Sequence, residues 1–403
     1  MITYGLAPYF KAELVDTVSK PVHAHFAIFF DEAYNEISKK KQNDVLIAFF
    51  NEKTKTVSYR YLGSGFLRHG DTTSISQSLI DIQNGLDFGH KCTQLSMDRP
   101  NVNWSVMKDV EDQKFTKDPL SPKLLNVGSC SLHVLHGAYK SAQEATDWDV
   151  KSILKAAYKL FQNSSARRSV YLTVNDIDDD EDEDEDETVF PKPFCGHRWL
   201  ENGPALSRLL TLLEKLKNYI VHNNRQAKSK QINTGSLKKV EEEVKNDANM
   251  NSCYAKLEFS LFICKTIEPF LLKFQAERPL VPFSYQEMLG VLRSSLDAFV
   301  RSSVIESSVT DGNLTKIDLG KEENLRSLQN IDIGFGANSR LKKLNPLQQL
   351  KFRGNCQKFY VNFCKKLVER SCLAFTLTEL LSYYCFSPRL MRQPNSIWQI
   401  PNS

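Results

Sequence analysis

The 403-residue chain has no run of 18 or more apolar residues, so it offers no segment suited to cross a membrane as a helix. Met1-Ile2-Thr3-Tyr4-Gly5 lacks a basic region followed by an apolar stretch, so no secretory signal is read there. Nine cysteines are present, an odd number without regular spacings, which suits free thiols in a reducing compartment rather than a disulfide framework. What is present suffices for a folded protein. With 41% hydrophobic residues the chain can bury a full core, and its length suggests two or three domains.

The formal net charge of +4 hides a split. Residues 176–187 read DIDDDEDEDEDE, and removing their eleven negative charges leaves +15 on the remainder. Such a surplus is compatible with a polyanionic partner. Eleven like charges packed this closely cannot bury, so a disordered surface loop is expected over about 173–189, inert or folded over the basic surface.

The chain is organised around His25-Phe26-Ala27-Ile28-Phe29-Phe30-Asp31-Glu32, an apolar run that ends on two acids. Unbroken apolar character predicts a central strand covered on both faces, with its carboxylates at the strand end. A second short strand, Cys92-Thr93-Gln94-Leu95-Ser96-Met97-Asp98, closes the same way. A single acid in such a place simply ends its strand. Two acids on neighbouring strand ends make an oxygen-only site of the kind Mg²⁺ or Mn²⁺ prefers, and two such ions clamp the oxygens of an in-line phosphoryl displacement.

Asn43 and Asp44 lead into a second strand, VLIAFF, and a polar turn leads to a third, VSYRYLGSGF, forming a hairpin on the first strand. Lys39, Lys40 and Lys41 sit in the connection between the first two strands, as a solvated turn or, less simply, an import signal. Asp71 or Thr72 caps a helix with Ile75, Leu79, Ile82 and Leu86 on one face. Leu124-Leu125-Asn126-Val127-Gly128 reads as a fifth strand, and Val150, Ile153, Leu154, Ala157, Tyr158 and Phe161 mark an amphipathic helix. Long helices follow at 202–222, 237–247, 252–275 and 284–302, then an irregular stretch at 305–345 with strand-like pieces such as Thr315-Lys316-Ile317-Asp318-Leu319. Helices at 346–370 and about 374–385 precede an end without periodicity.

Cys130, His133, Cys195 and His197 are zinc-type ligands, but C-x-x-H with C-x-H is not an established zinc spacing. Cys195 reads as a buried thiol and His136 as a core histidine. Trp199, next to Arg198, reads from the residues alone as a core anchor.

Taken in order, FFDEAYNE, QLSMDRPNVNW, NVGSCSLHVLHGAYKSA, SSARRSVY and FCGHRWLEN resemble the catalytic region of the hAT superfamily of DNA transposases. AKLEFSLF, IEPFLLKFQ, RPLVPFSYQEML and IDIGFGANSRL extend the likeness to a transposon-derived group in animal genomes, over about residues 1–390. The resemblance implies an α/β fold: an RNase H-like mixed sheet with flanking helices, interrupted by an all-helical insertion domain. It divides the chain into a catalytic-type core at 1–200, a mainly helical insertion at 201–345, an incomplete helical part at 346–390 and a frayed tail at 391–403.

The resemblance also implies roles. Asp31 and Asp98 match the acids that hold divalent metals, Mg²⁺ or Mn²⁺, for strand cleavage and transfer. Cys130 and His133 match a C-x-x-H motif near the transposon end, and Arg198 and Trp199 an RW motif whose Trp meets a flipped base. DNA as partner, self-association and a nuclear setting are implied too, with no membrane and no small-molecule cofactor. The departures are specific. No match to the family's third metal-binding acid, a Glu beyond the insertion, is found, nor to its N-terminal zinc module, and Ala33 and Arg99 replace the usual Ser and Gly. Arg99 could pair with a carboxylate in the metal's stead. The expectation is therefore a transposase-derived protein that has lost catalysis; the alternative is a non-enzymatic nuclear DNA- or protein-binding protein on the same fold. An RNase H-like exonuclease has less support, because neither the RW motif nor a long helical insertion belongs to that plan.

Overall fold

The computed structural model describes residues 6–20, 25–83, 86, 88–96, 100–177, 189–276 and 280–386. In chain order the elements are α1 Ala7–Ser19, β1 Phe26–Asn35, β2 Lys40–Asn51, β3 Thr56–Leu67, α2 Thr72–Ile82, α3 Phe88–Lys91, β4 Cys92–Ser96 and α4 Pro100–Lys117. Then come α5 Ser131–Glu144, α6 Val150–Phe161, α7 Ser165–Val174, α8 Gly203–Arg225, α9 Gly235–Val244, α10 Asp247–Phe274 and α11 Ser284–Asp297. The last are α12 Ser302–Thr310, α13 Phe335–Leu341, α14 Pro346–Arg370 and α15 Thr376–Phe386. The protein is mixed α/β, with one four-stranded mixed sheet flanked by helices. No helix among the described residues is long and apolar enough to cross a membrane.

The chain forms two compact units, one of Met1–Val134, Glu277–Met288 and Glu369–Ser403, the other of Leu135–Ala276 and Leu289–Val368. These limits differ from those read from the sequence at residues 200 and 345.

In the first unit the strand order is β3-β2-β1-β4, with β1, β2 and β3 antiparallel and β4 parallel to β1. β1 is not covered equally on both faces as its apolar run suggests. Phe26, Ile28 and Phe30 are buried, whereas Ala27 and Phe29 are half-buried, on the face where Phe29 meets Tyr59 edge-on at 5.9 Å. Nor does β1 end at its acids. It runs to Asn35 and pairs continuously with β2 from Phe26↔Phe49 to Asn35↔Lys40. The reason lies in Asn35, whose Oδ1 accepts from the Ile37 and Ser38 amides at 3.0 and 2.9 Å while Nδ2 donates to Gln42 at 2.7 Å. That side chain closes a short turn with Lys39 at φ 55°, so Lys40 and Lys41 belong to β2 rather than to a connection.

The predicted helix after β3 is α2. Asp71 accepts from the Ser74 amide at 2.8 Å, Ile75, Leu79 and Ile82 are buried, and Leu86 packs half-buried on the same core. α2 lies close to β3 because Gly63 and Gly65 carry no side chains there. A Cβ on Gly65 would stand 2.5 Å from Ser78 Oγ, and one on Gly63 3.1 Å from Ile82 Cγ2. Beneath them the fully buried Asn43 donates to Ser78 Oγ at 3.3 Å. Gly65→Ala should cost about 1 to 3 kcal/mol in a urea melt, the usual penalty of overpacking a fitted interface. An unchanged midpoint would mean that α2 is not held by this contact.

Two helices that join the core of the sheet unit were not read from the sequence. α1 buries Leu14 and Val18, and α4 buries Val106, Met107 and Val110. From α4, the buried Lys114 donates to the carbonyls of Cys92 at 3.2 Å and Pro122 at 3.0 Å, tying β4 to the segment that follows. That segment is not the fifth strand expected at 124–128. A single ladder-like bond joins Leu125 N–H to Thr93 O at 2.7 Å, then the Asn126 side chain accepts from the Gly128 amide at 3.1 Å. Gly128, at φ 86°, turns the chain toward α5 before a ladder can form.

The second unit is helical around α10, which packs on α8, α9 and α13. α6 buries Val150, Ile153, Leu154, Ala157 and Phe161 as its periodicity predicts. Aromatic rings fill the centre: Trp148 stacks on Phe352 at 4.7 Å, and Phe259 meets Phe359 and Tyr360 edge-on at 5.3 and 5.6 Å. The stretch at 305–345 is more regular than expected, since α12 and α13 lie in it. Leu314–Lys316 is a 3₁₀ turn, not a strand. Most of the acidic run and all of 391–403 lie outside the described residues.

Candidate functional site

Asp31 stands on the partly open face of the sheet, in the interior of the β1–β2 ladder directly opposite Asp44. Directly opposed residues of antiparallel strands share a face, so two carboxylates meet here. Asp31 is exposed; Asp44 is half-buried and accepts from Gln42 Nε2 at 2.7 Å. β4 runs parallel beside β1, and its last described pair is Phe29↔Ser96. Asp98 and Arg99 lie outside the described residues. Asp44 was read from sequence only as a lead-in to β2. Its place opposite Asp31 follows from register, which no local pattern supplies.

Cys130 and His133 come together at the start of α5. Burial alone would raise the Cys130 thiol, but a hydrogen bond with the His133 side chain and the backbone amides of His133 and Leu132 hold it below its ordinary 9.0. The Cys130 carbonyl begins the helix by accepting from Val134 N–H at 3.1 Å.

Arg198 and Trp199 belong to the second unit. The loop that carries them is fixed by Asn202, 3% exposed, whose Oδ1 accepts from Cys195 N–H at 2.7 Å. Its Nδ2 donates to the carbonyls of Cys195, Arg198 and Trp199 at 3.0, 3.3 and 2.9 Å. His136 adds a second brace: it is buried, and its Nδ1 accepts from Leu200 N–H at 3.2 Å, consistent with its core reading. Asn202 was not singled out from the sequence, although it stands three residues after the Trp in FCGHRWLEN.

No protein-family model and no curated protein matches this sequence.

The chemistry must therefore be read from the side chains. Trp199 is 7% exposed, with Phe194 edge-on at 5.1 Å, Tyr139 at 6.4 Å and Lys151 Nζ 5.8 Å above its ring. Thus enclosed it anchors a core and offers no open face to a base. Arg198 is exposed and reaches Glu201 at 3.4 Å. Cys195 is half-buried rather than buried, and His197 is exposed. Among the described residues no group of three or more His, Cys, Asp or Glu gathers to hold a metal, so neither the zinc reading of Cys130, His133, Cys195 and His197 nor a complete acidic metal site is assembled there.

Proposed function

We propose that this chain is a transposase-derived protein of the hAT kind, whose RNase H-like unit is kept to bind DNA in the nucleus and no longer performs metal-dependent strand cleavage. The observation that carries the proposal is the sheet. Three antiparallel strands followed by a helix and a fourth strand parallel to the first, with Asp31 on that first strand, is the opening plan of an RNase H-like domain. The helical second unit supports an insertion after that core. The +15 charge outside the acidic run supports a polyanionic partner.

The donor chemistry on the sheet face fits a hard divalent cation, because Asp31 and Asp44 present only carboxylate oxygen. Asp31 and Asp98 are the residues that would hold Mg²⁺ or Mn²⁺, and the bound ion would supply charge for a phosphoryl displacement. The loss of cleavage rests on Ala33 and Arg99, which replace the Ser and Gly of the pattern, a guanidinium beside Asp98 being a competitor for its charge.

Calorimetry with Mn²⁺ on the full chain, beside the Asp31→Ala, Asp98→Ala double variant, tests this reading. Weak binding that vanishes in the variant, with no cleavage of hairpin or terminal-repeat DNA, is the expected outcome. Cleavage that depends on both acids would refute the loss of activity, and Mn²⁺ binding equal in the two proteins would remove the acids from any metal site.

A further inference from the structure

The sheet has two unlike faces. Phe26, Ile28, Phe30, Val45 and Ile47 belong to the core they share with α1, α2 and α4. Register maps the opposite face, because directly paired residues stand on one side and alternate residues repeat it. Tyr61, Leu46 and Phe29 form one row across β3, β2 and β1, and Ser64, Asp44 and Asp31 form the next. The register shift at Val45 and Leu46 leaves both rows on this face, since the extra residue it admits, Leu62, is buried in the core.

The first row is apolar and open. Tyr61 is 58% and Leu46 42% exposed, and Phe29 is half-buried. Tyr59, 44% exposed, widens this row on the side away from the acids. Beyond the acids stands Phe66, 57% exposed, with Lys40 Nζ 5.8 Å above its ring. Large apolar side chains left open together on one face mark a surface for a partner.

The carboxylates decide what that partner is. Like charges directly opposed on paired strands cost stability, and Gln42, which donates to Asp44 at 2.7 Å, brings no charge to offset them. A phosphate backbone would be repelled here, and a wholly apolar segment would strip water from both charges. A basic side chain next to an apolar one suits both rows. Alternate residues of a strand stand about 6.7 Å apart, so the two rows have that separation, and an extended peptide presents its own alternate residues with the same repeat.

We infer that this face of the sheet is the docking site for an extended cationic segment of another protein. That segment carries a large apolar residue two positions from an Arg or Lys, with the apolar side chain over Tyr61 and Leu46 and the cation between Asp31 and Asp44. The rings favour this occupant twice, since the stem of a basic side chain packs on apolar surface and its charge is attracted to an aromatic face. The inference concerns the metal-free carboxylates and does not depend on the DNA reading.

Fluorescence anisotropy with the full chain in EDTA and about 0.15 M salt tests it, and the EDTA keeps its failure apart from failure of the metal reading. The probe is a labelled peptide, LSRSLSRSL; a second, LSSRLSSRL, has the same composition but no Leu two residues from an Arg. The acidic run at 176–187 binds the two alike, because it offers charge without fixed spacing. The first peptide should bind about tenfold more tightly than the second. That preference should vanish in the Asp31→Asn, Asp44→Asn variant, which should melt no lower than wild type because the opposed charges are gone. It should fall about threefold in Tyr61→Thr, where a strand-forming residue keeps β3 intact. No binding of the first peptide, equal affinity for the two, or a preference that survives in the double Asn variant would each overturn the inference. Loss of oligo(dT) binding in Tyr61→Thr with the peptide preference unchanged would make the rings a nucleic-acid platform and overturn it as well.

Discussion

Trp199→Ala is expected to lose about 3 to 5 kcal/mol of unfolding free energy, the range for removing a buried aromatic ring. The ring is 7% exposed and packs with Phe194 and Tyr139 under the Lys151 ammonium, so its deletion leaves a cavity beside a loop that Asn202 and His136 hold in place. Trp199→Phe should recover most of the loss. Among the described residues the indole Nε1 has no hydrogen-bond partner, and its removal costs no bond. Urea melts of both variants beside wild type, with DNA affinity measured below the transition, decide the matter. If Trp199→Ala melts normally and loses only DNA binding, the side chain is a DNA contact rather than an anchor.

Stability should also fall steeply above pH 9, through thiols rather than lysines. Burial pushes the Cys264 thiol in the second unit from 9.0 up to about 12, and burial does the same to Cys92 under the sheet of the first. A group whose folded value lies above its unfolded value contributes stability that is complete below the unfolded value and is lost as the pH rises toward the folded one. Between pH 9 and pH 10.5 each thiol therefore removes about 2 kcal/mol. Lys114 acts in the opposite sense in the first unit. Burial lowers its value from 10.5, the unfolded chain binds more protons as the pH approaches 10.5, and its contribution to stability rises there. In the second unit burial raises the Cys253, Cys356 and Cys364 thiols as well, so Cys264 carries one share of that unit's alkaline decline. Cys264→Ala should reduce the alkaline decline by about 2 kcal/mol in a melt followed from pH 8 to pH 10.5, and an equal decline in wild type and variant would place the titrating groups elsewhere.

These two predictions concern packing, and packing is where sequence reading and structure part. Local chemistry was legible: the Asp71 cap, the face of Ile75, Leu79 and Ile82, the periodicity of α6, and a hairpin of strands joined to the first one all follow from residue type and spacing. So did His136 as a core histidine, because one polar ring in an apolar helix face needs a partner, and Leu200 N–H supplies it. The errors arose where a side chain acts on backbone that is not its own neighbour in the pattern. Asn35 draws β1 on past its acids, and Gly128 ends what looked like a fifth strand after one hydrogen bond.

By itself, then, the sequence determined the apolar strands, the helix faces, the charge split and the candidate acids, since each is a matter of composition and short-range period. Tertiary structure alone decided that Asp44 faces Asp31, that Trp199 is enclosed, and that Tyr61 and Leu46 stand open on the face that carries both acids. The physical reason is common to all three. Register and close approach are set by residues distant along the chain, whose contacts leave no local period to read.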